Sequence, residues 1–133
     1  MSEKIKTLQI IHLAICAGTL AAYFFLVEFS IKTLDIPNID SSSAIYILIP
    51  VSAYILSTFL FKSQLKQIDP KLKLEEKMPV YQAASIMRWA VLEGAAFLIL
   101  FVKPDFVLFG ILIIIYLIFL RPTEERINND LSL

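Results

Sequence analysis

Apolar residues run along this chain in four blocks, at about 5–27, 44–61, 80–102 and 105–120. Lysine, acid, serine and proline gather between them. Each block is close to the roughly 20 residues that cross about 30 Å of hydrocarbon at about 1.5 Å per residue. In lipid the backbone must satisfy its own hydrogen bonds, so blocks of this length read as helices. The pattern predicts an all-α membrane protein, a single four-transmembrane-helix bundle over residues 1–133 with no segment left for a soluble domain.

Periodicity within the blocks predicts which faces meet. In the first, Gln9, His12, Cys16, Thr19 and Tyr23 recur at three- and four-residue steps and form one mildly polar stripe. Ala14, Gly18 and Ala22 form a line of small residues, at the spacing that lets a neighbouring backbone come close. Both lines are expected to face other helices. In the second block Pro50 lacks an N–H and predicts a kink, with Tyr54, Ser57 and Thr58 following on or near that face. Pro79 suits the first turn of the third helix, and Ala90 and Gly94 form a further close-packing pair there. The fourth block carries only Tyr116 as a polar side chain and is apolar on every face. That predicts a peripheral, lipid-facing helix. Arg121 and Pro122 end it, and Thr123-Glu124-Glu125-Arg126 starts a brief helical turn.

Charge adds an orientation. The chain has 12 basic and 12 acidic residues and is 58% hydrophobic, too apolar for a soluble domain that must cover its surface with polar groups. Lys4, Lys6, Lys62, Lys66, Lys71, Lys73, Lys77, Arg121 and Arg126 lie in the two tails and the middle connection, against only Lys32 and Lys103 in the other two connections. The positive-inside rule then makes both termini and the 62–79 connection cytoplasmic. The expected setting is the cytoplasmic (inner) membrane of a bacterium. The first apolar core continues to Val27 and no small-residue cleavage site follows it, so the first helix is expected to be retained. The acidic 28–43 connection reads as a solvated connector long enough to cover the outer mouth, with Ser43 or a neighbour capping the second helix.

Full charges occur inside only one block, where Arg88 and Glu93 lie. A charge in hydrocarbon is costly. Arg88, nearer the cytoplasmic end, can snorkel toward water. Glu93, near mid-depth, must be protonated, paired across helices or exposed to a polar cavity. The two are five residues apart, about 140° around the helix, and do not form an intrahelical pair. Depth places His12 level with Arg88 in one polar region, and Glu93 opposite Cys16 or Thr19. The intramembrane polar site candidates are therefore Glu93, Arg88, His12, Thr19 and Tyr54. No metal and no cofactor are expected, because haem or zinc needs ligands beyond one histidine and one cysteine. The chain lacks HExxH, CxxC, GxSxG and phosphate-loop patterns, so it does not read as an enzyme. The lysine surplus of the 62–79 connection comes with no nucleic-acid-binding motif.

The run Ile86-Met87-Arg88-Trp89-Ala90-Val91-Leu92-Glu93-Gly94-Ala95-Ala96-Phe97 resembles the carboxylate-bearing helix of the proteolipid (c) subunits of rotary ATPases, in which a membrane-embedded acid sits among small residues. The resemblance implies that Glu93 binds a proton or cation. It covers about a dozen residues. The second block lacks the glycines of that family's other helix, and the first and fourth blocks have no counterpart. The chain also resembles small four-helix bacterial integral membrane proteins, which implies an architecture and no activity. The functional expectation is a structural, accessory or partner-binding subunit, in contact with membrane lipids, in a homo-oligomer or a larger membrane complex. Two alternatives stand beside it: proton or ion translocation by an oligomer through Glu93, and lipid or quinone binding in an intramembrane polar pocket.

Overall fold

The computed structural model describes residues 2–26, 40–102 and 104–132. Among the described residues five α-helices follow one another: α1 (Ser2–Leu26), α2 (Ala44–Lys66), α3 (Leu74–Val102), α4 (Val107–Phe119) and α5 (Glu124–Leu131), with a 3-10 turn, Pro104–Phe106, ahead of α4. Helices α1, α2 and α3 are long and apolar enough to cross a membrane. Helix α4 has 13 residues, about 20 Å, and reaches that length only together with α5, from which it is bent by 89°. Val27, Lys103 and the expected connection at 28–39 lie outside the described residues.

The exposed surface confirms the solvent. Phe25 is 80% exposed, Phe24 70%, Phe119 68% and Phe59 65%, and each long helix presents further exposed Leu, Ile or Val. Water would make so continuous an apolar surface a liability, whereas lipid accepts it. The chain is an all-α, membrane-integral protein with three to four candidate membrane-spanning helices.

Helix α3 is the centre. It touches α1, α2 and α4, while α1 and α2 make little contact with each other among the described residues. Its buried residues, Tyr81, Ala84, Arg88, Leu92, Ala95 and Ile99 among them, return every three or four positions and give one wide interior face. Helices α1 and α3 run parallel: Lys4 reaches Glu75, His12 packs on Trp89 and Tyr23 bonds to Ala96. Helix α2 runs antiparallel to α3, with Phe61 against Tyr81 and Tyr46 against Phe106.

Two boundaries differ from the sequence expectation. Helix α2 continues to Lys66 and α3 begins at Leu74, so the connection expected at 62–79 shrinks to 67–73. A turn at Asp69-Pro70 closes it, with the Asp69 carboxylate accepting the Lys71 N–H at 2.9 Å. Pro79 therefore sits inside α3 rather than at its start. Glu75 and Glu76 occupy the first turn, where negative charge suits the helix dipole. Pro79 has no N–H to offer the Glu75 carbonyl, and the Lys4 ammonium approaches that oxygen at 3.5 Å.

The fourth helix is not peripheral. Val107, Gly110, Ile113, Ile114 and Leu117 are buried against α1, α2 and α3, and only the opposite face, with Leu112, Ile115 and Ile118, is exposed. An all-apolar sequence carries no amphipathic signal in lipid, so its packing face could not be read from pattern.

Candidate functional site

The mildly polar stripe of α1 does face the bundle. His12, Cys16, Thr19 and Tyr23 are buried, with Ile5 and Leu8 continuing the same face. The small-residue line does so only at Ala22, which is half-buried and packed against the core. Ala14 and Gly18 are exposed, and a Cβ added at Gly18 would meet nothing within 4 Å. The Ala90 and Gly94 pair on α3 is likewise exposed, with nothing within 4 Å of an added Cβ at Gly94. The glycine that close packing requires is Gly110, where a Cβ would collide with the Tyr23 hydroxyl and ring. Tyr23 donates its hydroxyl to the Ala96 carbonyl at 2.6 Å and so ties α1 to α3 at the level where α4 passes. No sequence signal singled out Gly110, because its requirement comes from a side chain 87 positions away in the chain.

The candidates expected to share one polar region divide between two. His12, 4% exposed, turns toward α4. One of its ring nitrogens, Nε2, lies 2.7 Å from the Leu117 carbonyl. A carbonyl oxygen only accepts, so Nε2 carries the proton and donates. The Cys16 sulfur, 3.5 Å from the same nitrogen, can then only accept weakly. The imidazole also stands edge-on to Trp89, ring centroids 4.8 Å apart. Around it, Gln9 donates to the Pro122 carbonyl at 2.8 Å and Arg126 to the Phe119 carbonyl at 3.0 Å. The last carbonyls of a helix have no partners within the helix. Gln9 and Arg126 serve such carbonyls at the end of α4 and just beyond it, where Pro122 stops the chain from continuing as helix, and His12 adds a second donor to the Leu117 carbonyl, which also accepts the Leu120 N–H at 3.1 Å.

Arg88 lies on the other side of α3. It is 8% exposed, and its guanidinium carbon sits 3.7 Å from the Phe61 ring centroid, facing α2. Its Nε has no hydrogen-bond partner among the described residues. Tyr116, Asp130 and Tyr81 are within electrostatic reach, and Tyr81 donates its hydroxyl to the Asp130 carboxylate at 2.7 Å. That bond and the buried Ile127 hold α5 across this end of the bundle. Thr123 caps α5 through its hydroxyl, which accepts the Arg126 N–H at 3.1 Å. Arg88 and His12 therefore sit near the same depth but on separate faces, because Arg88 and the histidine's neighbour Trp89 are consecutive and diverge by about 100° around the helix.

The remaining candidates are dispersed. Thr19 is fully buried and donates to the Ile15 carbonyl one turn back at 2.8 Å, so its hydroxyl is satisfied within α1. Tyr54 is 52% exposed, its ring 5.2 Å from that of Tyr116. The hydroxyl of Thr58 and the indole N–H of Trp89 are buried without partners among the described residues, two polar atoms sequence reasoning did not single out as unsatisfied. Glu93 is half-buried and within electrostatic reach of Cys16, at the level expected, but no hydrogen bond or ion pair to it occurs among the described residues. Among those residues no three His, Cys, Asp or Glu side chains gather as a metal site.

A groove of about 650 Å³ opens between α1 and α4, lined by Gln9, His12, Leu13 and Ala17 with Lys6 and Arg121 at one end. A second, apolar groove of about 360 Å³ continues it past Leu20 and Ile118 toward Phe24 and Ile111.

No family model matches the chain, no curated protein is similar to it, and no solved structure resembles it; nothing in these comparisons ties α3 to the rotary ATPase proteolipids.

Proposed function

We propose that the protein is an accessory subunit of a membrane assembly and that the exposed face of α3 docks a helix of its partner. The observation that carries this reading is Glu93: a half-buried acid inside a membrane-spanning helix with no partner among the described residues. A carboxyl in that setting is costly unless a donor meets it. Beside it Ala90 and Gly94 are exposed, and an added Cβ at Gly94 would meet nothing within 4 Å, so a second backbone can come close and bring a donor to Glu93. The unequal spread of basic residues supports an orientation with both termini in the cytoplasm, and the setting we infer is a bacterial cytoplasmic membrane.

The test is site-directed photocrosslinking in native membranes, with the photoreactive residue at position 94 or, as the lipid-facing control, at position 25. Position 94 should give one protein adduct of discrete mass that disappears in a Glu93→Leu background, and position 25 should give none. Identical adducts from both positions, or persistence of the adduct without the acid, would refute docking through Glu93. A Glu93→Gln variant that keeps its adduct but abolishes proton or cation flux in reconstituted vesicles would favour translocation instead.

A further inference from the structure

The groove between α1 and α4 runs along the outer side of the His12 cluster, away from Arg88 and from the α3 face. Its lining comes from α1, α4 and Arg121 just after α4, with no residue of α3. Three properties define what fits it. Its walls are apolar along most of their length, from Leu13 through Leu20 to Phe24. Its charged end holds two cations, Lys6 and Arg121, and no acid among the described residues lines it. Neither cation makes a hydrogen bond or an ion pair among the described residues. The length of its basic-ended part is set by α1: from Lys6 to Leu20 is about 21 Å at 1.5 Å per residue, and the apolar part continues from there to Phe24. One leaflet contributes about 15 Å of hydrocarbon, half the bilayer core. The basic-ended part is thus as long as one lipid chain plus its headgroup, and its basic end falls where a headgroup lies.

We propose that this groove holds one acyl chain of an anionic phospholipid, with the phosphate between Lys6 and Arg121. The charge pattern selects the occupant. A partner helix would need an acid of its own at the matching depth, whereas every phospholipid carries its phosphate at the end of the chain that the groove accepts. The site is complete within one copy of the protein and independent of any helix docked on α3. Gln9 and His12, which line the same end, already use side-chain nitrogens on carbonyls of the α4 terminus, so the headgroup is met chiefly by the two free cations.

The experiment reconstitutes the full chain into vesicles of phosphatidylglycerol and phosphatidylcholine in equal amounts, extracts it in mild detergent, and counts retained lipid by native mass spectrometry. The wild type should keep one phosphatidylglycerol per chain in preference to phosphatidylcholine. Lys6→Gln and Arg121→Gln should each reduce that preference about fivefold, the effect of one basic side chain at an anionic surface. Ala17→Trp, which fills the groove without touching charge, should abolish retention of either lipid. Lys62→Gln with Lys66→Gln, exposed lysines at the same end of the bundle but outside the groove, should change nothing. Equal retention of both lipids would overturn the proposal, and so would an equal effect from the Lys62 and Lys66 pair. A lipid-free dimer in which the groove is filled by a second copy would overturn it as well. Circular dichroism and the emission of the buried Trp89 check that each variant is folded.

Discussion

Replacing Gly110 by alanine should destabilise the bundle, although alanine is by far the better helix former. The new methyl would overlap the Tyr23 hydroxyl and lie 2.8 Å from Cζ and 3.0 Å from Cε2 of that ring. Tyr23 is 1% exposed and its hydroxyl is engaged with the Ala96 carbonyl, so the ring cannot swing aside without breaking that bond. Overpacking of this kind costs about 1–3 kcal/mol. A buried hydroxyl stripped of its acceptor costs about 1–3 kcal/mol more. Helix propensity returns about 1 kcal/mol. The net expectation is a loss of about 3 kcal/mol. Trp89 is the only tryptophan and is 1% exposed, so its emission reports unfolding when the protein in mild detergent is titrated with a denaturing one. Tyr23→Phe alone should cost about 1 kcal/mol, because the Ala96 carbonyl keeps its helical partner. In the Tyr23→Phe background the closest overlap is gone and Gly110→Ala should cost only about 1 kcal/mol, a coupling of about 2 kcal/mol. A neutral or stabilising Gly110→Ala, or the same cost in both backgrounds, would refute the close approach of α1 and α4 at this point.

Other perturbations test the remaining packing. His12→Ala removes the donor to Leu117 and the contact with Trp89, and should cost about 2–3 kcal/mol in the same denaturation; His12→Gln, which can still donate, should cost less than half of that. Arg88→Met exchanges a buried guanidinium stacked on Phe61 for an apolar chain of similar length; desolvation outweighs the ring contact, so stability should stay level or rise by about 1 kcal/mol, and a loss above about 2 kcal/mol would show a network beyond the one described. The Asp40 carboxylate, ahead of α2, accepts hydrogen bonds from the Ser42 hydroxyl and from the Ser43 N–H and hydroxyl, which hold it at about 2 rather than the ordinary 3.8. A folded value below the free one means the stabilisation is complete above about pH 4 and is lost as pH falls through 2; a carbon-detected NMR titration with its midpoint near 3.8 would show that the turn is not formed. For orientation, Glu3→Cys, Lys71→Cys and Asn128→Cys in a Cys16→Ser background should resist an impermeant thiol reagent applied outside, whereas Ile36→Cys should react.

What the sequence determined by itself is the class and the rough positions of the helices. Apolar blocks of membrane-crossing length leave the backbone no alternative to helix, and that constraint is local, so α1, α2 and α3 were legible with errors of a few residues. Periodicity also identified the α1 face that carries His12, Cys16, Thr19 and Tyr23, because polar atoms in lipid must turn inward. The start of α3 was misplaced because Pro79 satisfies a first-turn rule equally well from inside a helix when another group, here Lys4, can approach the carbonyl that proline leaves. Only the tertiary structure decided which small residues lie at a contact. Gly18 and Gly94 share the spacing of packing residues and face outward, while Gly110 has no such spacing and is indispensable. The same holds for the polar groups. Residues 88 and 89 are adjacent in the chain, yet their side chains leave α3 toward different neighbours, so Arg88 meets Phe61 and Trp89 meets His12. Depth along a helix can be counted from sequence; azimuth relative to a neighbour depends on how the helices pack, and in a bundle apolar on both its inside and its outside that information is not written in hydropathy.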